Sequence, residues 1–469
     1  MSDIIKNPRN GCALHGALKT VQEIKGAVPV IHANAGCGVI EYLANKASSG
    51  GNSRYSGYSV PGTAIQDRHV IFGGASRLRE QIKNTIKVVN GDLYVILNSC
   101  ESAMVGDDVD AMTREIVDQG EPVVDTLVAG FNGGEHYGYE HVMADILSGI
   151  DGVKKSEKNT DPKLVNILGI VPGKDPYWQG NLEEIKRILE GFGLRVNTFF
   201  GSYGGVEDLV NAKNAVLSIV FSRWGELPAE LLKEKYGIPV LLRPSLPVGV
   251  KQVRDLANSI VELIDIDKDE VDSFLEKEEK YEKDLLYKAR EDMIENDLSG
   301  TAVLIGDEEQ VIRLGAFLTE ILGLEINAVV ITDLLKTDEE HKSDNTEFLK
   351  NIAGNIYITA DQKKIEDIIR SEKPEVIFGS SLEKKIADKF DIPIIEISYP
   401  VFEKLILNQS SAGIKGELSF IEEYVTVAHK YKAEKKRRLL SYIRGEDRES
   451  SPGRLQTIGN VRKLSLITG

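Results

Sequence analysis

Three cysteines, Cys12, Cys37 and Cys100, are the residues of this 469-residue chain best suited to chemistry, and all of them precede Asp108. A thiolate is both a nucleophile and a soft metal ligand. Cys12 opens the string Cys12-Ala-Leu-His-Gly16, Cys37 lies in His32-Ala-Asn-Ala-Gly36-Cys37-Gly38, and Cys100 ends Asn98-Ser99-Cys100, shortly before Gly106-Asp107-Asp108. Three thiolates can close three corners of a zinc, copper(I) or iron-sulfur site, but they cannot complete a four-cysteine one. Cys37 follows Cys12 by 25 residues and Cys100 follows Cys37 by 63, which matches neither the paired knuckles of structural zinc nor the compact ferredoxin run. Two readings stay open at this point: unrelated buried cysteines acting as small hydrophobes, or a site whose fourth corner comes from elsewhere.

The elements around these residues place two of them at strand ends. Leu93-Tyr-Val-Ile-Leu97 is a continuous apolar run that reads as a buried parallel strand, so Cys100 falls at its C-terminal edge. That edge is where open α/β sheets put their sites. Cys37 likewise follows the run from Ala27 to Ile31, and Gly36 and Gly38 let the backbone come close to whatever its sulfur holds. After Cys12, Leu14, Leu18, Val21 and Ile24 have helical spacing, which puts His15 and Lys19 on one face. His32 reads as a hydrogen-bonded packing residue. Phe72-Gly73-Gly74 opens a helix through Leu78, Ile82 and Ile86, and Asp107 and Asp108 are suited to cap a helix from Val109 to Val117. Asn45 to Thr63 reads as a long loop, a candidate partner contact. Between Glu135 and His141 stand two histidines, two glutamates and two tyrosines. They could bind a metal or touch a partner's cofactor, or simply begin the helix through Met143, Ile146 and Leu147.

The rest of the chain alternates strand and helix. Residues 1–11 read as a short tail containing Pro8, and the charged, apolar-poor stretch from Asp151 to Lys163 as a linker. A strand from Leu164 to Val171, a loop with Pro172, Gly173 and Pro176, a helix from Leu182 to Leu189, and strands Val216–Phe221 and Pro239–Leu242 follow. Residues 250–295 are charged and helical. Thr301–Asp307 then starts another unit, without a G-x-G-x-x-G fingerprint; it continues through a helix Val311–Leu322 and strands at Ala328–Thr332, Ile356–Thr359 and Val376–Gly379. Such alternation predicts parallel sheets with right-handed crossovers. The expected fold is therefore α/β, with three linked Rossmann-like domains, each a parallel sheet flanked by helices. Residues 1–155 carry the cysteines, 156–298 include the charged helical region, 299–432 form the third domain, and 433–469 are a tail in which Lys435–Arg438 end a helix. Trp178 and Trp224 read as packing residues.

Composition narrows the function. Forty-three glycines and 42% hydrophobic residues fit a globular α/β protein. With 73 acidic against 57 basic residues, the net charge of −16 argues against nucleic acid as the main partner and suits either solubility or a basic docking partner. No apolar run reaches the roughly 20 residues that cross a bilayer, and Met-Ser-Asp-Ile-Ile-Lys lacks a signal peptide's apolar stretch. The expectation is a cytoplasmic protein whose cysteines stay reduced.

Taken together, Cys12-x3-Gly16-x15-His32-x3-Gly36-Cys37, Phe72-Gly73-Gly74, Ser99-Cys100 and Gly106-Asp107-Asp108 resemble the nitrogenase component 1 family, and within it the β-type subunit. Further matches are Gly130-Phe131-x-Gly133, Gly138-Tyr139-Glu140, the helix Asn181–Arg187, Gly306-Asp307, Phe378-Gly379-Ser380 and Tyr399-Pro400-Val401-Phe402, so the likeness covers roughly residues 8 to 430. The resemblance implies that Cys12, Cys37 and Cys100 are ligands of an iron-sulfur cluster shared with a partner: an eight-iron, seven-sulfur P-cluster, or the four-iron cluster of some relatives. It implies an α-type partner subunit in an α2β2 heterotetramer, which carries the catalytic cofactor. It also implies a separate ATP-hydrolysing iron protein as electron donor, which agrees with the lack of any P-loop motif here. This chain would then relay electrons and hold no catalytic residue of its own. Gly130 stands where family β subunits have a serine that can bind the oxidised cluster, and His32-Ala-Asn-Ala-Gly-Cys37 departs from the usual His-Gly-x-Gln-Gly-Cys. Both changes leave the reduced substrate open. Rival readings are a methylthio-alkane reductase or another nitrogenase-like reductase, with tetrapyrrole-ring reduction less favoured, and a nitrogenase cofactor-assembly scaffold. A periplasmic-type binding protein shares linked α/β domains but does not account for the cysteines.

Overall fold

The structure is a computed structural model that describes residues 9–40, 60–154, 157–202, 204–296, 300–333 and 345–444. The readings around Pro8, over residues 45–59 of the long loop, and over 445–469 of the tail lie outside the described residues.

Continuous apolar runs become central strands because both faces of a parallel sheet are covered. The first sheet shows this directly. β1 (Ala27–His32), β2 (Leu93–Asn98) and β3 (Val123–Leu127) lie in the order β1-β2-β3, with Ala27 opposite Leu93 and His32 opposite Asn98. Alternate residues of β2 serve opposite faces. Leu93, Val95 and Leu97 join Leu14, Leu18 and Val21 of α1 (Ala13–Gln22) and Tyr139, Val142 and Ile146 further on. On the other face Tyr94 and Ile96 meet Leu78 and Ile82 of α2 (Ala75–Val88) and Val109 and Ile116, which cap the core from a third helix.

Two more parallel sheets follow in the chain. The second, ordered β5-β4-β6-β7, contains β4 (Leu164–Leu168), β5 (Arg195–Asn197), β6 (Leu217–Val220) and β7 (Val240–Leu242). The third, ordered β10-β9-β8-β11-β12, contains β8 (Thr301–Gly306), β9 (Glu325–Ile331), β10 (Ala353–Ile358), β11 (Val376–Gly379) and β12 (Ile394–Glu396). The expected α/β class with helix-flanked parallel sheets is borne out. One apolar core runs from the first sheet through the second, whereas the third sheet has a separate core on each face. The last described helix, Gly413–Arg444, runs unbroken past Ala433, where the sequence pattern suggests the tail begins, and packs back on the long helix Lys268–Asn296.

Three strands are not evident from the sequence pattern. β5 and β12 have three residues each, too few for a periodic signal. In β3, Val-Val-Asp-Thr-Leu, Asp125 and Thr126 interrupt the apolar run.

Candidate cluster site at the edge of the first sheet

The sheet's C-terminal edge gathers the residues singled out in the sequence. Past β1 comes Cys37; past β2, Cys100 is the first residue of α3 (Cys100–Val105), which precedes α4 (Val109–Val117). Past β3 comes Gly130, whose backbone N–H donates to Cys100 Sγ at 3.0 Å. Cys12 arrives from a different direction, as the residue before α1, and is fixed there by Ala13 N–H donating to the Gly133 carbonyl at 3.0 Å. Its depth depends on how closely α1 crosses α5 (Glu135–Val153). A Cβ on Gly16 would stand 1.9 Å from the Glu135 carbonyl oxygen, and one on Gly138 would stand 2.0 Å from that of Ala13. Only glycine permits backbones that close.

Cys12 and Cys100 therefore meet across Gly130. A Cβ there would lie 3.2 Å from each of their sulfurs and 3.0 Å from Cys12 Cβ. His15 joins the third cysteine to the first: its Nδ1 is 3.2 Å from Cys12 Sγ, and its Nε2 is 3.4 Å from the Cys37 carbonyl oxygen. Since a carbonyl only accepts, Nε2 carries the proton, and Nδ1 faces the sulfur either as acceptor from the thiol or, on the protonated ring, as donor to the thiolate. Asn34 Oδ1 accepts from Gly36 N–H at 2.7 Å and from Cys37 N–H at 3.3 Å, which starts the helical turn that carries Cys37.

Charge decides what this trio can hold. Burial pushes the Cys12 thiol up, but the hydrogen bond and charge of His15 outweigh it, and the net shift is downward. Cys37 is pushed up to about 11, first by burial and then by the charges of Glu101, Cys12 and Cys100. Three thiolates crowd one another unless a positive centre lies among them, and metal binding removes their protons. One tetrahedral zinc would hold sulfurs about 3.8 Å apart, given Zn–S of about 2.3 Å. The three sulfurs do not form a set lying within 4.8 Å of one another. Thiols gathered in this way are soft ligands that could hold a metal-sulfur group. All three cysteines are half-buried, and the residues beside them are apolar and exposed: Val39, Ile40, Met104 and Phe131. The helix Asp67–Phe72, which packs near α3, buries none of its residues, and Phe72 is 86% exposed.

The other predicted positions separate cleanly. His32 is fully buried, with Nδ1 at 3.1 Å from Thr63 Oγ1 and Nε2 at 3.1 Å from Asp107 Oδ2, so it packs and does not face the sulfurs with a free nitrogen. Asp108 caps α4 by accepting from Ala111 N–H at 3.0 Å. Asp107 does not cap it: its carboxylate is taken by His32 and by the Gly74 N–H at 2.7 Å, because the buried imidazole needs a partner. In the 135–141 segment, Glu135 is buried between Lys19 at 2.6 Å and Lys174 at 2.7 Å, His136 Nε2 lies 2.8 Å from Asp307 Oδ2, and His141 lies against the Tyr137 ring. Trp224 is more than packing, since its indole N–H donates to Asp333 Oδ2 at 2.8 Å. His15 is the residue at this edge that the sequence pattern leaves without a role. Its signal is the Cys-x-x-His spacing, one helical turn.

Parallel sheets flanked by helices, with three thiols at one sheet edge, define an α/β protein with a set of soft candidate ligands. Residues 12–429 match the nitrogenase component 1 type oxidoreductase family, and the chain belongs to it. It is thus an oxidoreductase subunit, and the resemblance to β-type chains is borne out. The chain is 25% identical over 464 residues to the nitrogenase molybdenum-iron protein beta chain of Methanothermobacter thermautotrophicus, covering 92% of this chain and 95% of that one. It is 24% identical over 407 residues to a subunit of the light-independent protochlorophyllide reductase of Chlorokybus atmophyticus, covering 83% and 76%. Its fold superposes on the solved nitrogenase Cp1 at pH 6.5 with a TM-score of 0.74 and 20% identity, covering 97% and 96%. Among the described residues no helix is long and apolar enough to cross a membrane.

Proposed function

We propose that this chain is the β-type subunit of a nitrogenase-like reductase, and that Cys12, Cys37 and Cys100 supply half of the thiolate shell of an iron-sulfur cluster shared with an α-type subunit in an α2β2 assembly. The gathering of three thiols at one half-exposed sheet edge carries this reading. Three ligands leave a shell incomplete, and the exposed apolar residues beside them offer a second chain a surface on which to complete it. When bound, the cluster supplies one-electron relay between an ATP-hydrolysing iron protein and the partner's cofactor. The chain's own groups set its surroundings. The Gly130 N–H spreads charge away from Cys100 Sγ, His15 fixes Cys12, and Asn34 orients the turn of Cys37. Neither nucleic acid nor membrane has a place in this scheme.

Gly130 favours a second reading, reduction of a substrate other than dinitrogen. With no hydroxyl at that position, the sulfurs lack the oxidation-linked oxygen ligand that the family resemblance implied. A methylthio-alkane reductase or a related nitrogenase-like reductase is that second reading, while the presence of all three cysteines favours a relay over a cofactor-assembly scaffold.

Anaerobic co-purification with the α-type partner, followed by iron, molybdenum and vanadium analysis and by acetylene and dinitrogen assays, tests both readings. Iron should accompany the complex, and Cys100→Ala should lose nearly all of it and the activity while keeping the wild-type circular dichroism. Full iron content and activity in Cys100→Ala would sink the relay.

A further inference from the structure

The C-terminal ends of β8 and β9 meet the start of α5 in a second cluster of ligating side chains. His136, Asp307 and Asp333 each present one ligand atom, and these atoms all lie within 4.8 Å of one another. They line a cavity of about 30 Å³ together with Gly169–Val171, Ser222 and Trp224 of the second sheet's loops, so all three sheets contribute to it. That volume holds one or two water-sized groups. Each ligand is oriented from behind. Thr332 Oγ1 donates to Asp307 Oδ1 at 3.1 Å, Glu308 N–H and the Trp224 indole donate to the two Asp333 oxygens at 2.9 and 2.8 Å, and the His136 ring stacks on Trp224 with centroids 5.1 Å apart. Oriented ligands of this kind are what metal sites use.

An independent observation comes from Gln310, which is 1% exposed. Its Oε1 accepts from Asp307 N–H at 3.2 Å, while its Nε2 has no protein partner, and the residue lines the same cavity. A buried donor left without an acceptor costs about 1–3 kcal/mol; a water or hydroxide seated in the cavity removes that cost. The charge balance agrees. Four carboxylates line the cavity, those of Asp175, Asp307, Glu309 and Asp333, against one lysine, Lys174, with Arg313 bound to Asp175 from behind at 3.0 Å.

We propose that His136, Asp307 and Asp333 bind one divalent cation, whose remaining coordination is a water held by Gln310 Nε2. One imidazole and two carboxylate oxygens suit manganese(II), iron(II) or zinc better than magnesium, which keeps to oxygen. The site is distinct from the cysteine edge in donors and in burial. It ties the first sheet's α5 to the third sheet's strands.

The test titrates manganese(II) into the full-length chain, counts bound ion by paramagnetic resonance, and follows indole fluorescence, which a paramagnetic ion beside Trp224 quenches. The expected result is one ion per chain with quenching and a raised unfolding midpoint. Asp333→Asn should weaken binding about tenfold or more, on the scale of lost coordination, and should abolish the midpoint shift. Cys100→Ala should bind as the wild type does. His136→Gln, which keeps a hydrogen bond toward Asp307, is the second variant should Asp333→Asn fail to fold. Wild-type binding in either folded ligand variant, loss of binding in Cys100→Ala, or no binding by the wild type below millimolar manganese would each overturn the proposal.

Discussion

Two sets of polar residues sit at the ends of parallel strands in this molecule, and they solve opposite problems. At the cysteine edge the donors are sulfurs, half-exposed and set among apolar side chains, and Cys37 resists ionising up to about pH 11. In the cleft between the sheets the polar groups are carboxylates, imidazole and ammonium, most of them buried and in ion pairs. Glu135 illustrates it: burial pushes its carboxyl up, yet Lys174 and Lys19 together hold it well below the ordinary carboxylate range. An edge short of positive charge and of ligands waits for a second chain, whereas a cleft whose charged groups mostly find partners within the chain, with carboxylates in excess around His136, joins the three sheets.

The largest effect expected from breaking this contrast lies in the cleft. Lys174 Nζ reaches Glu135 Oε2 and Asn10 Oδ1, both at 2.7 Å, and lies 4.0 Å from the centroid of the Tyr399 ring, so one ammonium joins four parts of the chain. Lys174→Met leaves Glu135 buried against Lys19, with half of its paired charge gone, and should cost about 3 kcal/mol in urea unfolding at neutral pH. The sign with pH follows from the depressed carboxyl. Its stabilisation is complete above the unfolded value of 4.5 and is lost as pH falls through the folded one. The gap between wild type and variant should therefore narrow toward pH 3. A constant gap would mean that packing, not charge, holds the cleft.

At the edge the expected effect falls on occupancy and not on stability. Gly130→Ala places a methyl group 3.2 Å from two sulfurs and 3.0 Å from Cys12 Cβ, closer than nearly all real contacts. Cys12 or Cys100 must then move. Iron content of the purified complex should drop severalfold, while the unfolding free energy changes by less than about 1 kcal/mol, as for a loop position outside the core. Full iron content would show that the ligands approach the cluster from directions Gly130 does not constrain.

The edge is far more legible in the sequence than the cleft, for a physical reason. Cys37 and Cys100 each follow an apolar run, so local pattern places them at strand ends, and the motif glycines Gly16 and Gly138 prove to be the points where α1 and α5 touch backbone to backbone. The helix-flanked parallel sheets follow from the same alternation. The cleft joins residues that are remote in sequence: His136 meets Asp307, Arg313 meets Asp175, and Arg9 pairs with Glu383 at 2.6 Å in full burial. No periodicity announces such pairs. Asp107 shows the same limit at short range, since its position before a helix suggests a cap while a histidine one strand away claims its carboxylate.

The smallest effect sharpens the account of the edge itself. His15 lowers the Cys12 thiol, because its bond and charge outweigh the burial of that sulfur. With His15→Leu, burial opposes ionisation without that counterweight, so the Cys12 thiol should rise above its ordinary value and a smaller fraction should be thiolate at neutral pH. That fraction falls about tenfold for every pH unit by which the thiol's midpoint rises, and alkylation follows the thiolate. Iodoacetamide labelling of the cluster-free chain at pH 7, read by site-resolved mass spectrometry, should slow about threefold to tenfold at Cys12. Cys37, whose backbone carbonyl oxygen lies 3.4 Å from His15 Nε2, should keep its rate. Equal slowing at both cysteines would mean that the substitution loosened the whole edge, and an unchanged rate at Cys12 would remove His15 from its chemistry.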